Sequence, residues 1–265
     1  MLLTIDVGNS NTVIGLYDDT DADQASSAGE GLLDHWRIAT DHDRTADELA
    51  VVIRGFLGLG RSRGESEIEG IAISSGVPRS TAALRDMSNR HFDLRPVVIE
   101  PGVRTGIAIA TDNPREVGAD RIANSVGAWH IFGGPCIVVD FGTATTCDVI
   151  SDRGEYIGGA IAPGVNISLD ALFNRTAALR AVELVEPRSV IGKTTVECIQ
   201  SGAIFGFAGM VDGLVRRIQD ELGPCKVVGT GGLSSLISPY SATIEQIEPW
   251  ITLHGLRLIH AKNAE

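Results

Sequence analysis

Aromatic residues and basic side chains are both scarce in this sequence. Only 5% of the 265 residues are Phe, Trp or Tyr, and 34 acidic residues outnumber 22 basic ones, which gives a formal net charge of −12. Nucleic acids and anionic membranes attract basic patches, which a chain with this charge balance is poorly equipped to form. We therefore expect no nucleic acid and no membrane as a partner.

Closely spaced cysteines and long apolar runs are also missing. The four cysteines are dispersed without a C-x-x-C pair, and the six histidines show no metal-ligand spacing. This pattern predicts reduced, mostly buried thiols and no zinc site. No apolar run approaches the roughly 18 residues of a membrane span, and no basic segment precedes an apolar signal core. We expect a cytoplasmic protein.

The first residues, in contrast, carry a distinctive pattern. Leu2–Val7 reads as a buried strand, Gly8–Thr12 as a polar turn and Val13–Tyr17 as a second strand. Asp6 lies near the end of the first strand, where a charge is costly unless a cation or hydrogen bonds satisfy it. Glycine lets the backbone approach a ligand closely, and successive N–H groups in a turn can bind an anion. The pattern suits Mg²⁺–phosphate binding, with an ordinary hairpin as the alternative.

A second hairpin repeats this pattern half a chain later. In the stretch 136–151, Asp140 aligns with Asp6, Gly142 with Gly8, and the distal Thr146 with Thr12. Internal similarity at about half the chain length indicates a duplicated domain with two equivalent turns. The repeat makes an ordinary hairpin a poor explanation of either aspartate.

Alternating strand and helix patterns fill the rest of the chain and predict an α/β fold with mixed sheets. Thr45 and Glu48 form a capping box at the start of one predicted helix. The acidic stretch Asp18–Gly31 lacks periodicity and is interpreted as a solvated, mobile loop. Further predicted strands cover 32–39, 68–75, 96–100, 155–161 and 225–230, and predicted helices cover 45–58, 80–92, 119–132, 167–179, 195–222 and 249–260.

The predicted helix 195–222 carries a regular row of glycines. Gly202, Gly206, Gly209 and Gly213 recur every three or four residues, which places them on one helical face. Each glycine weakens an isolated helix by about 1 kcal/mol relative to alanine. The row therefore predicts close packing, either in the core or against a second copy of the chain.

Three common catalytic motifs are incomplete. Residues 191–194 end like a phosphate-binding P-loop, but Pro187 stands where its first glycine belongs and no strand leads into it. Residues 229–232 lack the third glycine of a dinucleotide fingerprint. No nucleophile elbow or Ser-His-Asp order is visible. P-loop, Rossmann and serine-hydrolase chemistry are excluded.

Phosphoryl transfer fits the remaining residues, because it needs aligned reactants, a cation and a base for the attacking hydroxyl. Asp120 opens a predicted amphipathic helix, where an acidic residue can also serve as a cap. Its carboxylate is the best candidate for the base, and the neighbouring Arg121 could bind a substrate carboxylate through two hydrogen bonds. Asp6 would hold Mg²⁺, mainly through water.

Five segments together resemble type III pantothenate kinase, a family of the acetate and sugar kinase, Hsp70 and actin superfamily. They are IDVGNSNT (5–12), GADR (118–121), DFGTATT (140–146), GGAIAPG (158–164) and IGKTTVECIQSG (191–202). The resemblance implies a duplicated actin-like (ribonuclease H-like) α/β fold, with two mixed-sheet domains at 1–117 and 118–265 and an interdomain cleft. It implies ATP-dependent phosphorylation of pantothenate to 4′-phosphopantothenate, the first step of coenzyme A biosynthesis.

The same resemblance assigns roles to residues. Asp120 would be the proton acceptor, and Asp140 would hold a monovalent cation, K⁺ or NH₄⁺. Asp6 would hold Mg²⁺ or another divalent cation, and the family implies a homodimer. ATP would be bound by Asp6, Val7, Gly8, Asn9, Ser10, Asn11, Thr12, Val13 and Thr143, and pantothenate by Gly118, Ala119, Asp120, Arg121 and Thr195.

Three other functions remain as alternatives. A sugar or acetate kinase of the same superfamily would be longer and would not be expected to carry GADR. An actin- or Hsp70-like assembly module would need insertions for which 265 residues leave little room. A regulator that binds nucleotide without turnover would not need to keep Asp6, Asp120, Arg121 and Asp140.

Overall fold

The computed structural model describes residues 1–18, 22–59, 68–176 and 179–264. The chain forms two compact units, Met1–Ile131 with Trp250–Glu265 (unit 1) and Phe132–Pro249 (unit 2). The strands are β1 (Leu2–Val7), β2 (Asn11–Tyr17), β3 (Leu32–Ala39), β4 (Gly70–Ser75), β5 (Val97–Val98), β6 (Ala108–Ile109), β7 (Cys136–Phe141), β8 (Ala144–Ile150), β9 (Glu155–Pro163), β10 (Lys226–Thr230) and β11 (Gln246–Ile247). The α-helices are α1 (Ala46–Leu59), α2 (Pro78–His91), α3 (Ala119–Phe132), α4 (Val165–Arg175), α5 (Thr195–Leu222), α6 (Ser234–Ile237) and α7 (Ile251–Ala261).

The sheet of unit 1 has the order β3-β2-β1-β4-β5 and carries helices on both faces. On one face, Leu3, Ile5 and Val7 of β1 pack with α1 and α2. On the other face, Leu2 and Ala72 pack with α3 and α7. β1 pairs in parallel with β4, and strands of parallel sheets are usually covered on both faces. Because β1 is buried on both faces, its sequence is apolar almost throughout.

Unit 2 repeats the mixed sheet, with its strands in the order β11-β10-β7-β8-β9. One face packs with α4, α5 and α6 in a single hydrophobic core. Within the described residues, α5 alone is long and apolar enough to cross a membrane, with a mean hydropathy of 1.4 over 18 residues of which 44% are buried. Five of its buried residues belong to this core, namely Ile199, Ala203, Ala208, Val211 and Val215. Core helices pass the same test, so α5 is weak evidence for a span.

The predicted elements agree with the observed ones to within about four residues at each end. The capping box is confirmed, because the Thr45 N–H donates to Glu48 Oε2 (2.8 Å) and the Glu48 N–H donates to Thr45 Oγ1 (3.3 Å). All four cysteines are free, and Cys136 and Cys147 are buried.

The two hairpins confirm the internal repeat and refine its alignment. Gly8, Asn9 and Ser10 separate β1 from β2, whereas only Gly142 and Thr143 separate β7 from β8. The second turn is therefore one residue shorter, and every residue after it shifts by one place in the alignment. Thr12, which pairs with Val7, corresponds to Thr145, which pairs with Phe141, rather than to Thr146. Both second strands then bulge at the same place, between Leu16 and Tyr17 and between Val149 and Ile150.

The units divide the chain at a different place from the predicted boundary between residues 117 and 118. Ile122, Ala123 and Val126 of α3 pack with Leu253 and Leu256 of α7 in a core of unit 1. Both helices therefore belong to the first unit, although one directly precedes the second hairpin and the other ends the chain. The prediction kept each half continuous in sequence, whereas unit 1 is closed by a helix from the far end.

The described part of the acidic loop, residues 22–31, is anchored and only partly solvated, because Ala22, Ala25 and Ala28 are buried; residues 19–21 lie outside the described ranges. The Tyr17 hydroxyl donates to the Ala28 carbonyl (3.0 Å), and Arg257 Nη1 donates to the Glu30 carbonyl (2.9 Å). The guanidinium of Arg257 also lies 4.9 Å from the centre of the Tyr17 ring. Burial raises the pKa of Tyr17 above its ordinary value, so its hydroxyl stays protonated and keeps donating.

The buried His254 and the partly exposed His130 continue this anchor, and their hydrogen bonds fit one arrangement of protons. His130 Nε2 lies 3.1 Å from the Asp23 carbonyl, which only accepts, so this nitrogen carries a proton. In neutral His130 the other nitrogen then accepts from His254 Nε2, 3.1 Å away. His254 Nδ1 is left as a buried acceptor without a partner in the described part of the chain. Burial, with His130 and Arg257 nearby, lowers the pKa of His254 to about 3.

His254 should make unit 1 less stable in mild acid. The folded protein keeps His254 neutral down to a pKa of about 3, whereas the unfolded chain takes up the proton near pH 6.5. Stability from this group is present above pH 6.5 and is lost as the pH falls toward 3; between pH 7 and pH 5 the expected loss is about 2 kcal/mol.

Urea unfolding followed by tryptophan fluorescence measures this loss, because Trp36, Trp129 and Trp250 all lie in unit 1. His254→Gln should show a change between pH 7 and pH 5 that is smaller by about 2 kcal/mol. The exposed His42 supplies the control His42→Gln, which should behave as the wild type. Equal pH dependence in His254→Gln and the wild type would contradict the assignment.

Candidate active site

The turn after β1 is held in shape by Thr40, a residue that the sequence reasoning missed. Its hydroxyl donates to the Gly8 carbonyl (2.7 Å) and lies 2.9 Å from the Thr12 hydroxyl. Its N–H donates to the Ser10 carbonyl (3.0 Å). These three hydrogen bonds of Thr40 hold the turn in place. The side chains of Asn9, Ser10 and Asn11 are exposed, which leaves the outer side of the turn open to a ligand.

Asp6 lies half-buried at the carboxyl end of β1, beside Ser74 of the parallel strand β4. Ser74 is 1% exposed, and its hydroxyl has no hydrogen-bond partner among the residues that the structure describes. In α/β sheets, ligands bind in the crevice outside the carboxyl ends of the strands. A crevice of about 380 Å³ opens at this end of β4 and β5, between Gly76 and Ile99. Unit 1 therefore has room for a small molecule at the carboxyl ends of β4 and β5.

The first turn of α3 presents Asp120 to solvent. One carboxylate oxygen, Oδ1, accepts the Arg121 N–H at 2.8 Å, so the residue does partly cap its helix. The side chain is exposed, and the capping contact uses one oxygen only. A Cβ added to Gly118 would lie 2.5 Å from Asp120 Oδ1, so a larger residue there would displace this carboxylate. Capping and proton transfer are thus compatible roles for one carboxylate.

The position of α3 is set by close contact with α7. A Cβ on Gly127 would lie 2.5 Å from the Ile251 carbonyl, and a Cβ on Gly255 would overlap the Ala123 carbonyl. The Thr252 hydroxyl also donates to Asn124 Oδ1 at 2.6 Å. The two helices approach each other at backbone distance, and the C-terminal helix thereby fixes the helix that carries Asp120.

The second turn surrounds Asp140 with glycines. A Cβ on Gly231, which has φ +89°, would overlap Asp140 Oδ1, and a Cβ on Gly142 would lie 3.3 Å from the same oxygen. A Cβ on Gly164 would overlap the carbonyl of Thr143, so this turn also packs at backbone distance. The glycines leave a cradle beside the carboxylate that any larger side chain would fill.

The donors at these two aspartates fit hard cations. Asp6 has the hydroxyl of Ser74 beside it, and Asp140 pairs across the ladder with Thr146. Carboxylate and hydroxyl oxygens suit Mg²⁺ and K⁺ and do not suit zinc. Among the described residues, no three His, Cys, Asp or Glu side chains form a metal-binding group. A divalent ion at Asp6 would therefore take most of its ligands from water and phosphate.

Thr195, expected to contact substrate, is exposed in the first turn of α5. The helix begins at Thr194, whose hydroxyl accepts the Glu197 N–H at 3.2 Å. A Cβ on Gly192 would lie 2.5 Å from the Cys198 nitrogen, so the stretch that resembled a P-loop packs against a helix start. Its glycine and threonine serve packing and capping, in agreement with the rejection of a P-loop.

Comparison with known proteins decides the family. The sequence profile described as type III pantothenate kinase matches residues 2–217. The chain is 53% identical over 272 aligned positions to the type III pantothenate kinase of Streptomyces griseus, covering 99% of this chain and 98% of that protein. The chain belongs to the type III pantothenate kinase family. The resemblance drawn from the five sequence segments is thereby confirmed.

Solved structures agree with the fold of this family member. A Campylobacter jejuni protein described as a Baf family transcriptional activator superposes with a TM-score of 0.57 at 19% identity, covering 99% of this chain and 98% of that one. An inorganic polyphosphate/ATP-glucomannokinase from Arthrobacter gives 0.52 at 12% identity, with 98% of each chain covered. At such identities the likeness concerns the fold alone. The fold is the duplicated actin-like α/β fold that the sequence predicted.

Proposed function

We propose that this member of the type III pantothenate kinase family transfers the γ-phosphoryl group of ATP to the primary hydroxyl of pantothenate. The product would be 4′-phosphopantothenate, in the first step of coenzyme A biosynthesis. The observation that carries the proposal is the family match, since residues 2–217 include every candidate site residue. The reaction is placed in the cytoplasm, where ATP is available.

In this mechanism the residues of unit 1 bind phosphate and activate the acceptor. The turn Gly8–Thr12 offers backbone N–H groups and hydroxyls to the phosphates of ATP. Asp120 accepts the proton of the attacking hydroxyl, and Arg121 binds the carboxylate of pantothenate. Mg²⁺ near Asp6 would neutralise charge on the phosphates when bound. The exposure of Asp120 supports this role, because its second oxygen remains available to a substrate.

In unit 2, Asp140 holds a monovalent cation, Thr143 contacts ATP, and Thr195 contacts pantothenate. The glycine cradle beside Asp140 supports the cation assignment, since a cation needs open space next to the carboxylate. For Thr195 the support is its exposed place in the first turn of α5.

A homodimer is part of the proposal. Gly202, Gly206 and Gly209 lie exposed on α5, and a Cβ at any of them would meet no atom of the described residues within 4 Å. Of the two explanations of the glycine row, core packing is therefore wrong for this face. Glycines that weaken a helix by about 1 kcal/mol each and contact nothing in the described part of their own chain are explained by the close approach of a second copy.

An ATP-coupled assay of the purified protein tests the function. ADP release with ATP, MgCl₂ and KCl should require pantothenate, and mass spectrometry should detect one added phosphoryl group. Glucose, mannose, N-acetylmannosamine and acetate are tested in the same assay as alternative phosphoryl acceptors. Turnover with a sugar or acetate but none with pantothenate would overturn the proposal.

A further inference from the structure

The two equivalent hairpins differ in the residues that face their aspartates. In the first hairpin, Asp6 pairs with Val13. In the second, Asp140 pairs with Thr146. Side chains of paired residues share one face of a sheet, so the second hairpin places a hydroxyl opposite its aspartate where the first places an apolar group.

The difference continues one step along the strand. Asp148 lies two residues after Thr146 on β8 and therefore points to the same face. The corresponding residue two places after Val13 is Gly15, which has no side chain. The second half of the protein thus carries a row of oxygen-bearing side chains that its duplicate lacks.

Asp148 itself is fully buried, with 0% of its surface exposed. Its two carboxylate oxygens accept from two hydroxyls: Oδ2 from Thr146 Oγ1 (3.0 Å) and Oδ1 from Tyr156 (3.1 Å). Burying a carboxylate is costly, and hydrogen bonds offset only part of that cost. The backbone hydrogen bonds of the ladder already join these strands. The buried carboxylate of Asp148 therefore needs a reason other than holding the strands together.

The hydrogen bond from Thr146 gives such a reason. A hydroxyl has one hydrogen and two lone pairs, and the hydrogen of Thr146 is committed to Asp148. The lone pairs of Thr146 Oγ1 remain, on the sheet face that it shares with Asp140. An oxygen fixed as an acceptor beside a carboxylate and a glycine cradle is suited to bind a cation.

We propose that Thr146 is a ligand of the monovalent cation at Asp140, and that Asp148 is a positioning residue that orients it. The inference rests on the proposed cation at Asp140 and adds two residues to it. The ligand class is a weakly hydrated monovalent cation, K⁺ or NH₄⁺, which accepts hydroxyl and carboxylate oxygens. Outer-shell partners of this kind change metal affinity by roughly 10–100-fold when they are removed.

The test measures the response to KCl in two ways, at constant ionic strength maintained with choline chloride. One readout is the KCl concentration for half-maximal activity, and the other is the rise in thermal unfolding midpoint caused by KCl. Thr146→Val removes the oxygen and keeps the shape, and Asp148→Asn removes the charge and keeps the size. Both should raise the half-saturating KCl concentration at least about tenfold and reduce the thermal shift.

Thr146→Ser retains the hydroxyl. Its half-saturating KCl concentration and its thermal shift should therefore be close to those of the wild type. Thr145→Val is the matched control, because Thr145 is the neighbouring threonine, which is 1% exposed and pairs with Phe141 on the opposite face. It should leave the half-saturating concentration unchanged. Should Thr146→Val not fold, the comparison of Thr146→Ser with Asp148→Asn still decides.

Two failures can be told apart. If the wild type shows neither activation nor a thermal shift with KCl, the cation at Asp140 is wrong and this inference falls with it. If the wild type responds and Asp140→Ala does not, while Thr146→Val and Asp148→Asn respond like the wild type, only the present inference is overturned.

Discussion

Replacing Asp120 by Asn is expected to lower kcat for pantothenate by about 10²-fold or more, the scale of a lost general base. Asn retains the size of the side chain and an oxygen that can accept the Arg121 N–H, the one contact that Asp120 makes within its helix turn. The amide cannot take up a proton from the acceptor hydroxyl. The fold should remain intact because the side chain is exposed.

Two measurements accompany this variant. The thermal unfolding midpoint should match that of the wild type, and kcat for pantothenate should be compared with that of a control variant. Asp112→Asn provides a control, since Asp112 is another exposed aspartate of unit 1 outside the first turn of α3. A kcat for Asp120→Asn within about threefold of that of Asp112→Asn would remove Asp120 from the role of base.

Gly255→Ala should have the largest effect on stability, a loss of about 3 kcal/mol or more in the unfolding of unit 1. The added methyl group would overlap the Ala123 carbonyl, a backbone atom of α3 that cannot rotate away. The helices would have to separate, which would open the core that they share and displace the first turn of α3. We therefore expect activity to fall together with stability.

Gly55→Ala is the matched control, because Gly55 also lies inside a helix, but a Cβ there would meet no atom of the described residues within 4 Å. Alanine favours a helix over glycine by roughly 1 kcal/mol, so this variant should be slightly more stable than the wild type. Urea unfolding followed by tryptophan fluorescence reports both variants, since all three tryptophans belong to unit 1. A Gly255→Ala protein as stable as Gly55→Ala would show that α3 and α7 are not in close contact.

Most helices and strands could be predicted because their cause is local. The apolar run of β1, the helical spacing in α5 and the capping box at Thr45 are visible within a few neighbouring residues. The candidate site was found for a similar reason, since a repeated aspartate before a glycine turn can be recognised without knowledge of contacts. Family membership rested on the order of such short segments.

Features that depend on distant residues could not be predicted. The loop 22–31 is held by Arg257, which contacts Glu30 across 227 positions of sequence. Thr40 fixes the turn after β1 from 32 positions beyond Gly8. The shorter second turn could not be predicted either, because an alignment of the two sequence segments does not show which residues pair across the strands. In each case the determining contact is tertiary.

The return of α7 to unit 1 has a consequence for how the protein is made. Most residues of unit 1 leave the ribosome before unit 2, but a core of unit 1 lacks Leu253, Leu256 and Leu258 until α7 has been synthesised. At 5–20 residues per second, this interval lasts on the order of ten seconds. Unit 2, which is continuous in sequence, can complete its own core in that time. The turn after β1 emerges before α3, yet the helix that carries Asp120 gains its packing partner only after unit 2 has been synthesised. The nascent chain therefore has to protect an apolar surface until its C-terminal helix docks.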